Sequence, residues 1–525
     1  MLLLILSVSA YSQTVYHNTN NVSIYSFLDE MANLRLIELN SAVKPYSRMF
    51  IAQKLAGLDT LRSQLNTRQQ KDLDFFLKDF NKELKPDKNF NKRFDIFYYK
   101  DSLFTFSGNL TLGTEFFANK NGNALYWWNG GEVYAYVGKH LGVYASLRDQ
   151  HDRDYLVTPD YLTQRFGTRP KGGGDFEEMR GGITLSWNWG TIGLIKDHNA
   201  WGNNYNGANI QSGRTPSFAK ITLNLKPVRW FEFNYFHGWL VSEVVDSSRS
   251  YFVTSSSGTS YREVYHPKYM AANMFTFTPV RNLNISVGNS IIYTDIGVQA
   301  AYLIPVFFYK AVDHTINAYT DNMNSQMYLD ISSRNIKNLH LYGTMYVDEV
   351  NIENIFNSDN QSNFFSWKLG GRLSDYPLSN ISFTAEYTRT NPLTFRHYVP
   401  TITYESSKYN LGNYLTDNAQ EIYLDLQYKP IRGLVIDLSW IYALKGPDYT
   451  ELGGTRNGLP FIETVEWKNN TIAFKARYEI INDGYLYVGF EHSNISGDTV
   501  YIEKYTHPMW HGKNNSMEVG INFGF

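Results

Sequence analysis

The chain ends in SMEVGINFGF, residues 516–525, and this stretch alternates between two kinds of side chain. Every second residue is apolar, namely Met517, Val519, Ile521, Phe523 and Phe525. The residues between them are Glu518, Gly520, Asn522 and Gly524. A period of two is typical of a β-strand with two unlike faces. Such a strand would be an aggregation hazard in water, so the stretch predicts that its apolar face meets an apolar surrounding.

The same alternation recurs from about residue 94 to the end of the chain. In residues 421–430, Ile422 and Leu424 share one face with later apolar residues, whereas Asp425 lies on the other. Residues 433–442 and 471–479 repeat the pattern. Each run has about ten residues, the length that a tilted strand needs to cross a hydrocarbon layer. A face that carries charge does not suit lipid, so we expect it to face a lumen.

Charges of both signs occupy the predicted lumen face. They are Glu178, Arg180, Asp425, Asp437, Lys475, Arg477 and Glu491. A lumen of mixed sign favours mutual salt bridges over a conducting channel lined by one sign of charge.

Short and long connections alternate along this part of the chain. The short turns are KPVR (226–229), TPVR (278–281), RNIKN (334–338), KPIR (429–432) and NDG (482–484). The long connections span 150–176, 199–215, 242–263, 295–321, 350–363, 392–418, 445–464 and 495–514. An antiparallel meander with tight turns at one rim and elaborated loops at the other is typical of outer-membrane barrels.

This segmentation predicts about eighteen strands. Their centres lie near residues 110, 132, 144, 183, 193, 222, 235, 271, 288, 328, 343, 369, 385, 424, 438, 473, 489 and 520. An even number returns both ends of the barrel to the periplasmic rim, and closure leaves no unpaired strand edge in lipid. The alternative, a soluble multi-domain β protein such as tandem sandwiches, does not explain the difference between the two rims.

We therefore expect the last strand to pair with the first, near FTFSGNLTLG at 104–113. In that arrangement Val519, Ile521 and Phe523 face lipid. Phe525 resembles the terminal aromatic residue of an outer-membrane insertion signal.

Three parts are predicted along the chain. Residues 1–13, MLLLILSVSAYSQ, have the apolar stretch of a secretory signal. Residues 14–93 are predicted to form a periplasmic helical bundle, with Ser23 and Ser47 as N-caps and a third helix that begins at Thr67 with a capping box to Gln70. Residues 94–525 are predicted to form the barrel.

Composition excludes several classes of function. The net charge of −2 argues against a general nucleic-acid binder. The chain has no cysteine, which excludes disulfides, thiolate metal sites and cysteine nucleophiles. The histidine pair in HPMWH (507–511) has no carboxylate beside it, and no catalytic motif stands out. We predict no enzyme activity, no cofactor and no metal site.

The loop KDHNAWGNNYNGANIQSGRTP, residues 196–216, is the strongest candidate for a binding site. Trp201 and Tyr205 could stack on sugar rings, and Asn203 and Arg214 could hydrogen-bond hydroxyls or acidic groups. The alternative is a structured loop that folds into the lumen, where Asn and Gly serve the geometry of turns.

Several stretches together resemble the Wzi-like capsule assembly proteins of the bacterial outer membrane. They are IYSFLDEMANLRLIEL (24–39), KPYSRMFIAQKLAGL (44–58), DHNAWGNNYNGANIQSGRTPSFAKITL (197–223), IIYTDIGVQAAYLIPVFFY (291–309), AEYTRTNP (385–392) and YNLGNYLTDNAQEIYLDLQYKP (409–430). Within them, Trp201 and Gly202 match the family's Trp-Gly loop.

The resemblance implies an 18-stranded barrel with a periplasmic helical bundle. It also implies a surface lectin, without catalytic activity, that helps to attach or assemble exported polysaccharide. The expected partners are outer-membrane lipid, surface or capsular polysaccharide and polysaccharide export machinery, with no nucleic acid and with the protein as a monomer. A porin, a secretion-machine component or an outer-membrane enzyme are the alternatives.

Overall fold

The computed structural model describes residues 13–85, 90–170, 172–256, 258–316, 320, 322–449 and 456–524. Residues 1–12 of the predicted signal segment therefore lie outside the described residues. The predicted terminal aromatic residue of the insertion signal, Phe525, lies outside them as well. The helices are Val22–Asn33 (α1), Arg48–Asp59 (α2), Thr67–Leu84 (α3), Tyr309–Ile316 (α4) and Thr499–Tyr505 (α5). Short 3₁₀ turns occupy Arg62–Gln64, Ala300–Leu303, Ile352–Asn354, Pro400–Ile402 and Pro508–Trp510.

Eighteen strands form one closed antiparallel barrel. They are Phe104–Asn119 (β1), Gly122–Val137 (β2), Leu141–Asp152 (β3), Asp175–Trp187 (β4), Gly190–Asp197 (β5), Phe218–Val228 (β6), Phe231–Val245 (β7), Tyr265–Val280 (β8), Leu283–Thr294 (β9), Met323–Ser333 (β10), Leu339–Glu349 (β11), Phe364–Ser374 (β12), Ile381–Thr390 (β13), Ala419–Tyr428 (β14), Leu434–Lys445 (β15), Trp467–Ile481 (β16), Gly484–Gly497 (β17) and Gly512–Phe523 (β18). Each pairs with its neighbour in sequence, and β18 pairs with β1. The short strand Phe97–Lys100 belongs to the same sheet and pairs with β1 alone. Short strands outside this sheet are Val43–Lys44, Ala200–Trp201, Gln211–Ser212, Tyr251–Ser255, Gly258–Arg262, Glu405–Ser406 and Tyr409–Asn410.

The predicted fold class is confirmed: a closed antiparallel barrel with helices near the N-terminus. Every predicted strand centre falls within one of the barrel strands. The outward face is apolar, as the alternation predicted, since Leu438, Ile472 and Val519 are 48%, 49% and 43% exposed. None of the helices among the described residues is long and apolar enough to cross a membrane.

The predicted pairing of the last strand with the first is confirmed, but it lies further along the first strand than residues 104–113. β18 pairs from Met517↔Ala118 to Phe523↔Leu112, and not with the first residues of β1. The short strand Phe97–Lys100 pairs with Gly108 to Thr105 instead. It occupies the backbone hydrogen-bonding positions that β18 would otherwise have used.

Two of the three predicted helix caps are also displaced. α1 begins after Asn21, and its first residue is Val22, so Ser23 is already helical. The capping box of α3 is formed by Asn66 and Gln69, one residue before the predicted pair. The Asn66 side chain accepts a hydrogen bond from the Gln69 N–H, and the Gln69 side chain accepts one from the Asn66 N–H. Ser47 caps α2 as predicted and accepts a hydrogen bond from the Phe50 N–H.

The two rims of the barrel differ as the sequence predicted. One rim, the short-turn rim, consists of residues 138–140, 188–189, 229–230, 281–282, 334–338, 375–380, 429–433 and 482–483. The opposite rim, the long-loop rim, includes the described residues 120–121, 153–170, 172–174, 198–217, 246–256, 258–264, 295–316, 320, 322, 350–363, 391–418, 446–449, 456–466 and 498–511.

The two faces of β15 supply a test of the barrel. We expect Leu438→Arg, on the outward face, to lower the stability of the lipid-inserted protein by about 2 kcal/mol, because arginine is costly at a lipid-facing position. Ser439→Arg, one residue further on and half-buried in the lumen, is the matched control and should cost less. Urea titration of the vesicle-inserted protein, followed by heat-modifiable gel migration, measures both. Equal losses in the two variants would contradict the assignment of faces.

Candidate functional site

The three N-terminal helices close the short-turn rim. Arg334, in a turn of that rim, forms an ion pair with Asp29 of α1 at 2.8 Å. Lys429, in another turn, forms one with Glu30 at 2.9 Å. The Gly433 N–H donates to Asp72 of α3 at 3.3 Å. The three contacts come from two turns, 334–338 and 429–433, so the bundle is attached to the rim at more than one point.

Glu30 lies at the centre of this attachment. Its side chain is buried and contacts two cations, Lys429 and Arg68. Burial opposes ionisation of the carboxyl, but Lys429 and Arg68 outweigh it and hold the pKa of Glu30 well below its usual range. Glu30 therefore stays a carboxylate and links the bundle to the barrel.

The segment from Gln13 to His17 runs along the inner wall above the bundle. Gln13 donates to the Gly138 carbonyl at 3.0 Å, and Tyr16 donates to Asn224 of β6 at 2.8 Å. His17 follows and is 8% exposed. Burial, and then the neighbouring Arg48 guanidinium, lower the pKa of His17 to about 3. The imidazole is thus neutral in the folded protein at neutral pH.

The candidate loop, residues 198–217, folds into the lumen and pairs there with residues 43–44 of the N-terminal region. Ala200–Trp201 pairs with Val43–Lys44 on one side and with Gln211–Ser212 on the other. Gly202 follows with φ of +100°, a conformation that favours glycine, and its N–H donates to the Ala42 carbonyl at 2.8 Å. The Trp-Gly pair therefore makes the turn that holds the loop against the N-terminal segment.

Trp201 is buried among side chains of the barrel wall. It is 2% exposed, and its ring contacts Phe236 edge-on at a centroid distance of 5.3 Å. Tyr328 lies on the other side at 6.4 Å. The contact fixes the loop to β7 and β10 by apolar packing.

Asn203 and Tyr205 attach the same loop through carboxylates of the wall. Asn203 donates to Asp330 of β10 through its amide at 2.6 Å and through its backbone N–H at 2.8 Å. The Tyr205 N–H donates to Glu386 of β13 at 2.6 Å, and its hydroxyl contacts His340 at 2.9 Å. Both residues use their hydrogen-bonding groups within the protein.

The ion pair between Lys368 of β12 and Glu386 is fully buried in the lumen. The two side chains are 2.9 Å apart and both are 0% exposed. Lys368 also donates to the Asn206 carbonyl at 3.2 Å, and Glu386 accepts from the Tyr342 hydroxyl. A desolvated pair of this kind is stable only when its remaining hydrogen bonds are satisfied, and the loop satisfies them.

Sequence reasoning missed Lys368, Glu386 and Asp330 as anchors of this loop. A signal was present, since Lys368 lies between Trp367 and Leu369 and so falls on the lumen face. Two of the charges that were predicted to face the lumen form ion pairs. Arg180 pairs with Asp197 at 2.7 Å, and Lys475 pairs with Glu518 at 3.2 Å.

Arg214 ends the loop and is 5% exposed. Its Nε donates to the Arg165 carbonyl at 3.3 Å. Burial lowers the pKa of Arg214 to about 10, and no carboxylate compensates. Within the part of the chain that the structure describes, its terminal nitrogens have no hydrogen-bond partner.

A second loop, residues 391–418, covers the first from the long-loop rim. Its Tyr404 hydroxyl donates to the Ile210 carbonyl at 3.1 Å, and the Ser212 N–H donates to the Leu411 carbonyl at 2.7 Å. Phe395 packs on Tyr346 of β11 at a centroid distance of 4.5 Å. The two loops thus fill the lumen in layers beside β7, β10, β11 and β13.

Outside the lumen, one hairpin of the long-loop rim carries exposed aromatic side chains. Tyr251–Ser255 pairs with Gly258–Arg262. Tyr251, Phe252 and Tyr261 are 55%, 71% and 45% exposed, and the rings of Phe252 and Tyr261 lie 5.0 Å apart. Sequence reasoning did not single out this hairpin.

The predicted binding residues lie on one loop, and their side chains contact different parts of the protein. Trp201, Asn203 and Arg214 are buried and Tyr205 is half-buried. Their role in binding sugar stays a prediction. Over the described ranges, no cluster of three or more His, Asp or Glu side chains could hold a metal ion.

A closed barrel of eighteen strands with a filled lumen and one rim of long loops is an architecture of outer-membrane proteins. The fold is that of Wzi from Escherichia coli, described as an outer membrane protein involved in group 1 capsule assembly and as a carbohydrate-binding β-barrel. The two structures match with a TM-score of 0.60 over 98% of this chain and 99% of that chain, at 11% identity. The resemblance seen in the sequence is therefore confirmed at the level of the fold.

Two further solved barrels are similar over part of the chain. OccAB2 of Acinetobacter baumannii matches with a TM-score of 0.45 at 10% identity, over 80% of this chain and 97% of that chain. OprD of Pseudomonas aeruginosa matches with a TM-score of 0.42 at 10% identity, over 80% and 94%. No protein-family model and no curated protein sequence matches the chain.

The Lys368–Glu386 pair predicts how the loop is held. We expect Lys368→Met to weaken docking of residues 198–217 by about 3 kcal/mol, because Glu386 would remain buried and unpaired. The chain has no cysteine, so a thiol placed by Ala208→Cys, where the residue is 1% exposed, reports opening of the loop by its labelling rate. The double variant Lys368→Met/Glu386→Gln should recover most of the loss. Equal opening in the single and double variants would contradict this account.

His17 predicts a pH dependence of the bundle. The unfolded state takes up a proton below about pH 6.5, whereas the folded state does not until about pH 3. The bundle should therefore lose about 2 kcal/mol of stability between pH 6.5 and pH 5. Labelling of a thiol at buried Leu55, through Leu55→Cys, measures the opening. His17→Gln in the same background is the control, and a loss of equal size in that variant would rule out His17 as the cause.

Proposed function

We propose that the protein is an outer-membrane barrel that binds exported polysaccharide and supports capsule or exopolysaccharide assembly or its attachment to the cell surface, without catalysis. One observation carries the proposal: the chain fills its own lumen, down to an ion pair between Lys368 and Glu386 with neither side chain exposed. A buried pair and the loop that satisfies it suit a rigid scaffold better than a path for solutes.

The similarity in fold supports the same proposal. Wzi is described as a carbohydrate-binding barrel involved in capsule assembly, and its fold matches over nearly the whole of both chains. A shared fold does not transfer a function by itself. We therefore base the proposal on the filled lumen and take the carbohydrate class from the comparison.

We propose two places for contact with the polysaccharide. The first is the aromatic hairpin, where Tyr251 and Phe252 offer exposed ring faces at the long-loop rim. The second is the predicted set Trp201, Asn203, Tyr205 and Arg214. Arg214 supports it, because its terminal nitrogens are free to bind an acidic group.

Binding of polysaccharide purified from the source cells tests the proposal. The full-length protein in detergent should bind it, and Phe252→Ser should weaken binding several-fold if the hairpin is the contact. Phe356→Ser is the matched control, because Phe356 is 99% exposed on another loop of the same rim. Arg214→Gln tests the lumen set in the same assay. Absence of binding by the unaltered protein would contradict the proposal.

Planar bilayers separate the proposed binder from a porin. We expect the inserted protein to show no steady single-channel current. The variant Lys368→Met, which frees the loop, should show intermittent current. Steady current through the unaltered protein, together with no binding of polysaccharide, would favour the porin.

A further inference from the structure

Two neighbouring strands of the barrel, β8 and β9, each carry an asparagine side chain on the outward face. Met274 of β8 packs in the same lumen cluster as Trp201, so Asn273 next to it points outward. Asn289 of β9 is paired with Asn273 across the strands and points the same way. Elsewhere the outward face carries apolar residues such as Leu438 and Ile472. An unpaired amide on that face would cost several kcal/mol in lipid.

The connection between β9 and β10 covers these side chains from outside the barrel. The Asn273 amide donates to the carbonyls of Pro305 and Phe307, both at 2.9 Å. The side-chain oxygen of Asn289 accepts a hydrogen bond from the Tyr309 N–H at 2.9 Å. The side-chain amide of Asn289 donates to the side-chain oxygen of Asn273 at 2.8 Å. The two asparagines thus satisfy the backbone of a segment that is not a strand. We call residues 296–309 the wall segment.

Tyrosines complete the contact between the wall segment and the barrel. Tyr302 and Tyr309 are 0% exposed, and the Tyr235 hydroxyl of β7 donates to the Tyr302 carbonyl at 2.9 Å. Tyr293 packs on Tyr302 at a centroid distance of 4.9 Å. The wall segment therefore packs against the barrel wall, with Tyr302 and Tyr309 fully buried between them.

The wall segment reaches the depth of the lipid. Phe277 and Trp230 are 38% and 57% exposed near the short-turn rim, where they mark an aromatic girdle. Asn273 lies four residues above Phe277 on β8, roughly 10 Å along the barrel axis for a tilted strand. The apolar band of such barrels is about 25 Å tall, so Asn273 and the carbonyls that it binds fall within it.

The outer surface of the wall segment is apolar. No residue from 296 to 309 is charged. The exposed side chains are Leu303 at 41%, Ile304 at 40%, Val306 at 60%, Phe307 at 37% and Phe308 at 48%. They continue the apolar outward face of the neighbouring strands, which includes Val287 at 41%.

We propose that the wall segment is immersed in the hydrocarbon layer and that its exposed side chains bind lipid acyl chains. Irregular backbone is tolerated in lipid only where protein satisfies it, and Asn273 and Asn289 do so. The inference rests on membrane insertion of the barrel, which is part of the proposed function, and adds a lipid-contacting element that is not a strand.

Spin labels on single thiols test the proposal, because the chain has no cysteine. Labels are placed by Phe308→Cys, by Leu438→Cys on the barrel wall and by Phe252→Cys on the exposed hairpin, and the protein is inserted into phosphatidylcholine vesicles. The label at 308 should match the label at 438, with a ratio of oxygen to nickel-chelate collisions about tenfold higher than at 252.

Each other outcome overturns the proposal in a distinguishable way. Nickel access at 308 equal to that at 252, with 438 protected, would place the segment in water while the barrel is inserted. Nickel access at both 308 and 438 would overturn membrane insertion as well. Dipolar broadening between labels at 308 on separate chains would assign the surface to a second copy and not to lipid.

A second variant tests the role of Asn273. Asn273→Leu keeps the outward face apolar, so the barrel should still insert, but it removes the donor to the Pro305 carbonyl and leaves the Phe307 carbonyl with only the Asn289 amide at 3.4 Å. We expect nickel access of the label at 308 to rise about tenfold. Val287→Leu, on the neighbouring strand, is the control. No change in the Asn273→Leu variant would show that this contact does not hold the segment in lipid.

Discussion

Every backbone N–H and carbonyl within a lipid layer must be paired by the protein, because lipid offers no hydrogen-bonding partner. In this chain the requirement is met by closure of β18 on β1, from Met517↔Ala118 to Phe523↔Leu112. Once the barrel is closed, each strand has one face in lipid and one in the lumen. The alternation of side chains, the number of strands and the difference between the rims all follow from that division.

The lumen then becomes a polar core that the chain has to fill. The wall contributes buried charges such as Lys368, Glu386 and Asp330, and removal of these groups from water is costly unless they are paired. Residues 198–217 and 391–418, together with the N-terminal helices, supply the partners. The same contacts that satisfy the charges hold the loops, so filling of the lumen and stability of the wall depend on each other.

The wall segment obeys the same rule on the opposite face. Its backbone is irregular, yet its carbonyls at Pro305 and Phe307 are bound by Asn273. Polar residues on the outward face would otherwise contradict the pattern of the barrel. In the sequence they look like an interruption of the apolar face, and only the position of residues 296–309 explains them.

The sequence by itself determined the closed barrel, its eighteen strands and the two rims. A period of two reports directly which face each residue takes, and the alternation of short and long connections separates the strands and the rims. The register of closure could not be read in this way, since the side-chain pattern of β1 does not show that Phe97–Lys100 pairs with residues 105–108 and leaves residues 112–118 to β18. Likewise, Trp201 and Asn203 are residue types that a binding site on the surface would use. Their burial was decided by the tertiary structure, because a loop rich in Asn, Gly and aromatic residues can face solvent or complete a polar core, and only the side chains opposite it select between the two.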